Sequence, residues 1–391
     1  MSHRENIRRA LASREKEMLG FLRRIVEIQS GTANKAGVDR VGAVVGRFMD
    51  RLGFACRRWP QSDFGDHLVF ENPCGARANR ALMVGHMDTV FPPDTAFTDF
   101  SLDGGTATGP GVVDMKGGLA VGLFALDALH GLGLLERLPA AFLFNSDEEV
   151  GSPTSGALIR REAANSIFAF VLEAGGRDGQ VVTARKGNLS AVLTVCGRAG
   201  HAAFAGPEKA SAVLELAHRI VAVESLNRPE QGMTANVGRI EGGLGPNTVP
   251  DRAEARIDVR FETPGDGEKL LRRLQRAAEC GREGTSCRLS IRSQRPPMPE
   301  CDANRRLFSV LTEAAAALGQ HIAPEHRPGV SDANLIADEK VPVLDGLGPI
   351  GGRDHSPEEY VVCQSLPDRA ALVACGLLEC WAAVRKADRS R

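Results

Sequence analysis

The first half of the chain alternates short apolar runs with stretches of helical period. Residues 81–84, 141–144 and 167–172 are apolar and bounded by turn or polar residues, the pattern of strands buried on both faces. Residues 117–132 and 155–164 between them predict helices. This alternation predicts an α/β layer on a mostly parallel sheet, whose ligands gather beyond the carboxyl ends of the strands. Ahead of it, residues 1–30 mix charges with an amphipathic set of Met18, Leu19, Phe21, Leu22, Ile25 and Val26. That stretch predicts a surface helix and lacks the uninterrupted apolar run of a signal peptide.

The pattern changes after Gly175-Gly176. Strands are predicted over 188–196, 233–241, 248–261 and 287–292, with helices over 207–226 and 266–280. The order βαββαβ is that of a split-βαβ, ferredoxin-like α+β unit. It predicts an insertion at 182–293, ahead of the linker Arg295-Pro296-Pro297-Met298-Pro299, between catalytic-domain segments 1–181 and 294–391. A helix over 304–318, a short strand over 341–344 and a helix over 366–384 return the chain to the first domain.

Length supports this division, since 391 residues exceed one comfortable core. Lys plus Arg at 48 against Asp plus Glu at 49 leaves no basic footprint for nucleic acid, and one Tyr with two Trp offers few stacking platforms. No run reaches the roughly 18 apolar residues that span a bilayer. Nine scattered cysteines without a C-x-x-C pair predict free thiols in a reducing cytoplasm.

Five side chains in short, polar or glycine-bearing settings carry the chemistry. They are His86 in Gly85-His86-Met87-Asp88, Asp114 before Met115-Lys116-Gly117-Gly118, Glu149 in Asp147-Glu148-Glu149, Glu173 before Ala174-Gly175, and His355 in Arg353-Asp354-His355-Ser356. His86, the acidic trio and Glu173 follow predicted strands, so the sheet would gather them. Two imidazoles and three carboxylates without a thiol suit borderline-hard divalent cations such as zinc. Asp88, two residues from His86, can orient that imidazole through its second ring nitrogen. Glu148 and Glu149 diverge in extended backbone, so one can bind metal while the other serves as a base. Taken singly, each has a plainer reading as a cap, turn histidine or solvated acidic loop. In the insertion, His201 on a glycine turn and Asn247 and Arg260 flanking a strand are candidates to touch substrate, Arg being the bidentate partner of a carboxylate.

Gly85-His86-Met87-Asp88-Thr89-Val90, Gly109-Pro110-Gly111 through Asp114-Met115-Lys116-Gly117-Gly118, Asp147-Glu148-Glu149 and His355-Ser356-Pro357-Glu358 resemble the M20 metallopeptidases. The branch they are most similar to holds the glutamate carboxypeptidases and acetylornithine deacetylase-type deacylases. The resemblance implies two Zn²⁺ (Co²⁺ or Mn²⁺ being other options) bridged by Asp114, with His86 and Glu173 on one ion and Glu149 and His355 on the other. It implies Glu148 as general base, Asp88 orienting His86, a homodimer through the insertion, His201 reaching the partner's site, and Asn247 and Arg260 on the substrate carboxylate. Glutamate-releasing relatives place an Arg before Gly-Gly-Gly-Thr-Asp, where this chain reads His326-Arg327-Pro328-Gly329-Val330-Ser331-Asp332, so the preferred amino acid stays open.

The expectation is a dinuclear zinc hydrolase, carboxypeptidase or deacylase, cleaving the amide of a small peptide or N-acyl amino acid with a free carboxylate, by metal-activated water with a Glu base. A non-catalytic metal-dependent binding protein of the same fold is one alternative. Glu148, which has no ligand duty in this scheme, speaks against it. A two-metal phosphoesterase is another, and no Walker-type phosphate loop supports it.

Overall fold

The computed structural model describes residues 2–74 and 79–389. It divides into two compact units, Met1–Ala184 with Glu300–His326 and Ser331–Arg391, and Arg185–Pro299 with Arg327–Val330. The second unit therefore extends past the expected end at 293. Strand Ser286–Arg295 is longer than its apolar stretch, and Arg185 and Met298 then exchange backbone hydrogen bonds of 2.8 and 3.0 Å. The loop 327–330 joins it as well.

The first unit is built on a six-stranded sheet in the order Ala55–Trp59, His67–Glu71, Ala140–Asn145, Arg80–His86, Ser166–Val171, Val343–Leu344. The last four strands run parallel and the first two are antiparallel additions. Strands Arg80–His86 and Ala140–Asn145 are buried at every position, which is why residues 81–85 and 140–144 within them are continuously apolar. Helix Lys116–Gly131 is buried nearly all round. It lies so close to the sheet that a Cβ on Gly118 would stand 1.9 Å from the Leu172 carbonyl oxygen. Gly348 presses from another side, 2.5 Å from the same oxygen by the same measure. The backbone entering Glu173 is thus clamped by two residues that must lack a side chain.

The amino terminus departs from the expected single surface helix. His3–Ala12 and Glu15–Val26 are separate helices, and Ile7, Leu11, Met18, Leu22, Ile25 and Val26 are fully buried. Ile7 and Leu11 extend the apolar stripe beyond the set visible in the second helix. The first helix is also tied by Arg4 to Glu379 of the carboxyl-terminal helix Ser365–Arg389 through two 2.6 Å hydrogen bonds. At the start of its strand, Arg80 is buried with its guanidinium on the carboxylates of Glu71 and Glu162, which settles an otherwise costly interior charge.

The second unit is a four-stranded antiparallel sheet in the order Thr234–Gly242, Arg252–Phe261, Gly187–Cys196, Ser286–Arg295, with helices Ala212–Glu224 and Pro264–Ala277. That is the ferredoxin-like arrangement. Its core is the alternate-residue face of the strands, Leu189, Ala191, Leu193 and Val195 against Ala253, Ala255, Ile257 and Val259. The expected strand over 248–261 is two strands, because Pro250 stands between Thr248–Val249 and Arg252–Phe261. Cys280 and Cys287 form a disulfide, contrary to the expectation of free thiols throughout. The turn after the second helix returns them to a Cα separation of 5.4 Å. Among the described residues no helix is long and apolar enough to cross a membrane.

Candidate functional site

Three strand ends and two loops of the first unit converge. His86 is the last residue of its strand, Glu149 follows the end of Ala140–Asn145, and Glu173 follows the end of Ser166–Val171. Asp114 lies just ahead of helix Lys116–Gly131. His355 comes from the loop between Gly351–Gly352 and Tyr360–Val362, with a left-handed φ of 61° that few non-glycine residues adopt.

Asp114 stands at the centre. Its Oδ1 is 3.2 Å from His86 Nε2 and its Oδ2 is 3.2 Å from His355 Nε2. His86 Nε2 is also 3.8 Å from Glu173 Oε1, and His355 Nε2 is 3.4 Å from Glu149 Oε2. The five residues thus form two triads, His86–Asp114–Glu173 and Asp114–Glu149–His355, sharing one carboxylate, and in each the donor atoms lie within 4.8 Å of one another.

The charges are poised for cations. Burial opposes a charge on His86, but the Asp114 and Asp88 carboxylates outweigh it and hold its pKa well above the ordinary value. His355, half exposed, is pushed up to about 11 by its hydrogen bonds to Asp114 and Glu149. Burial and the neighbouring Asp114 raise Glu173 well above the usual carboxylate range, and burial raises Glu149 too. Asp114 moves the other way; burial is outweighed by the two imidazoles, which hold it well below its ordinary value. Glu149 Oε1 is buried with no hydrogen-bond partner, an open valence at the centre of the cluster.

The surrounding groups fix this geometry. His86 Nδ1 donates to the backbone carbonyl of Asp88 at 3.0 Å, while the Asp88 carboxylate lies 3.4 Å away. The expected carboxylate–imidazole hydrogen bond is therefore made chiefly by the Asp88 main chain. The Asp88 side chain instead accepts from Thr32 Oγ1 at 2.8 Å and from the backbone N–H groups of Glu148 and Glu149 at 3.3 Å each. It couples the first strand end to the acidic loop. Asp147 secures the other side of that loop, accepting from Thr154 N and Oγ1 and from Ser155 N and Oγ.

Two residues emerge that the motif reading had not singled out. Glu359 is buried, and its carboxylate accepts from the backbone N–H groups of Gly111 at 2.9 Å, Val113 at 2.8 Å and Asp114 at 3.0 Å. Burial nevertheless pushes its pKa up to about 7. Lys116 is buried as well, its Nζ donating to the Ile28 carbonyl, and burial lowers its pKa to about 7. The only sequence signal for Glu359 was an acid four residues past His355 in a polar loop.

His201, Asn247 and Arg260 belong to the second unit. His201 pairs with Thr248 in a two-residue ladder, and Ala202 N donates to the Asn247 carbonyl at 2.9 Å, so His201 and Asn247 are neighbours. Arg260 lies at the opposite end of strand Arg252–Phe261, whose first residue closely follows the short strand Thr248–Val249. Eight residues of extended chain separate those ends by roughly 25 Å. Within one chain, Asn247 therefore cannot share a carboxylate with Arg260. Arg260 holds Asp258 through Nε and Nη2, at 2.8 and 3.2 Å.

Comparison with known proteins gives the family and the fold. The chain is 27% identical over 376 residues to carboxypeptidase G2 of Pseudomonas sp. (strain RS-16), covering 93% of this chain and 89% of the relative. Its fold is similar to the crystal structure of aminopeptidase PepT from Bacillus cereus ATCC 10987, with a TM-score of 0.78 at 23% identity over 93% of this chain and 98% of that one. It is also similar to the YXEP protein of Bacillus subtilis, described as a dinuclear metal binding peptidase from the M20 family, with a TM-score of 0.67 at 15% identity over 93% and 97%. The model of Peptidase family M20/M25/M40 matches residues 82–379, a span that holds all five converging side chains, and the chain is a hydrolase belonging to that family.

Proposed function

We propose that this hydrolase removes a carboxyl-terminal or N-acylated amino acid from a small peptide or acyl donor, using a pair of divalent cations, zinc first among them. The observation that carries the reading is Asp114, whose two oxygens face two different imidazoles at 3.2 Å. The donor set fits: all nitrogen and oxygen, three carboxylates to offset three of the four charges of two dications, and a buried Glu149 oxygen without a partner. His86 and Glu173 would hold one cation, Glu149 and His355 the other, and Asp114 both. When bound, such a pair polarises a carbonyl and lowers the pKa of water.

The remaining work falls to the chain. Glu148 takes the proton from the attacking water and delivers it to the departing amine. Its backbone N–H is fixed by Asp88, so the base and His86 share one anchor. Glu359 holds the Asp114 loop through three backbone donors. Glu359→Ala should lower cation affinity by about 10–100-fold, as loss of such supporting partners does. Calorimetric titration of stripped protein checks this, and an unchanged affinity would remove Glu359 from the site.

Arg260 supplies the fork for the substrate carboxylate, while His201 and Asn247 act together in the partner subunit's reaction. A dimer through the second unit is supported by its open edge strand Thr234–Gly242 and by apolar side chains left exposed there, Val221, Ile240 and Leu244, the last 93% exposed. The test is complementation. Mixing His201→Ala with Arg260→Ala should restore activity, because one site of each heterodimer is then intact. Mixing Asn247→Ala with Arg260→Ala should also restore it. Mixing His201→Ala with Asn247→Ala should not, since both belong to the same contributed edge. A screen of N-acyl amino acids and dipeptides against their carboxamides completes the test, and equal turnover of acid and amide would refute the carboxylate requirement.

A further inference from the structure

We propose a second metal site in the ferredoxin-like unit, formed by Glu215, Cys280 and Cys287 and opened by reduction of the Cys280–Cys287 disulfide. Glu215 lies in helix Ala212–Glu224, Cys280 follows helix Pro264–Ala277, and Cys287 is the second residue of strand Ser286–Arg295. A carboxylate oxygen of Glu215 and the two sulfurs all lie within 4.8 Å of one another. Three separate segments thus bring one carboxylate and two sulfurs to one point.

The independent sign is Glu215 itself. Its side chain is fully buried, yet Oε2 has no hydrogen-bond partner. Oε1 is occupied, accepting from Gly281 N at 2.9 Å and lying 3.0 Å from Arg219 Nε. An interior carboxylate with an idle oxygen is costly in a purely structural role. Arg219 is fixed beside it, its Nη1 donating to the Glu279 and Ala277 carbonyls. Two thiolates and one carboxylate carry three negative charges, which a dication and the Arg219 guanidinium cancel together. Paired thiolates select zinc over magnesium or calcium, and three protein ligands leave a fourth position for water.

The two states interconvert by a balanced exchange. A thiol reductant supplies two electrons and two protons, the S–S bond breaks, and the reductant leaves as its own disulfide. Zinc binding then displaces the two thiol protons and forms two zinc–sulfur bonds and one zinc–oxygen bond. Reoxidation by a disulfide-bearing partner expels the ion. In both states the end of helix Pro264–Ala277 stays tied to strand Ser286–Arg295, and the metal-bound state would add a bond through Glu215 to the hydrogen bonds that already hold helix Ala212–Glu224 to residues 277–281.

The site has a signature that the first unit's nitrogen and oxygen donors cannot imitate. Cobalt bound by thiolate shows an intense sulfur-to-metal charge-transfer absorption. The full chain is titrated with Co²⁺ after reduction with a phosphine and, in parallel, fully oxidised. The reduced protein should develop the band to an intensity of one thiolate-bound ion per chain, beyond any cobalt taken up by the first unit, and the oxidised protein should show none. Cys287→Ser should abolish it, Cys196→Ser should leave it intact, and Glu215→Gln should weaken the binding by about tenfold or more. The wild-type comparison needs no variant to fold. No band from reduced protein whose freed thiols have been counted, a band that survives Cys287→Ser, or undiminished affinity in a folded Glu215→Gln would each overturn the assignment.

Discussion

Asp114→Asn is expected to abolish turnover by removing the cations rather than by touching the base. The substitution keeps the side chain's size but replaces one anionic oxygen with an NH₂ group that cannot bind metal. Because Asp114 belongs to both triads, both cation positions are lost together. The drop in affinity should exceed the roughly 10–100-fold that follows loss of a mere supporting partner. The same change alters how the stripped protein responds to pH. His355 has a folded pKa of about 11, held there by Asp114 and Glu149. That raised value contributes stability that is complete below its ordinary value near 6.5 and fades as the pH climbs through about 11. Cations must displace that proton, so loading should release protons and tighten as the pH rises through this window. In Asp114→Asn the first-named support of His355 is gone and the proton release should shrink. Metal analysis with proton-release calorimetry checks both halves. A variant that keeps two equivalents of metal would refute the sharing of Asp114.

The convergence of the candidate ligands is legible in the sequence because parallel strands announce themselves twice. Runs such as 81–84 and 141–144 are apolar throughout since both faces are covered, and polar residues just beyond them can only sit at the strand ends. His86 and Glu173 follow from that logic alone. Asp114 and His355 do not, for they lie on loops with no periodic pattern, and they join the rest by donor type, by their polar or glycine-bearing settings and by the motif resemblance. The edge strand Ala55–Trp59 and its antiparallel neighbour His67–Glu71 carry too little contrast to stand out, the first reading Cys-Arg-Arg within its span. The supporting residues were hidden for another reason. Glu359 and Asp147 act on backbone N–H groups, and a donor–acceptor match to main chain leaves no pattern in side-chain identity. The pairing of Asn247 with His201 depends on where Pro250 interrupts a strand, which alternation across 248–261 conceals.

Glu148→Gln should leave the cations in place and remove catalysis. Glu148 belongs to neither triad, and its neighbour Glu149 faces His355 at 3.4 Å. The short helical turn Glu148–Val150 directs successive side chains apart, which separates the two acidic functions. Gln matches Glu in volume and retains an acceptor oxygen, so the loop held by Asp88 and Asp147 keeps its shape. What is lost is the ability to take a proton from water and return it to the amine. A positioned general base is worth about 10²–10⁴-fold, and the rate should fall by that factor with the Michaelis constant little changed. The variant should therefore still bind a substrate carboxylate and still compete in the complementation mixtures as a correctly assembled partner. Metal content measured beside the kinetics decides the assignment. If Glu148→Gln loses an equivalent of metal while Glu149→Gln retains both, the two glutamates exchange roles, and the base must be sought at 149.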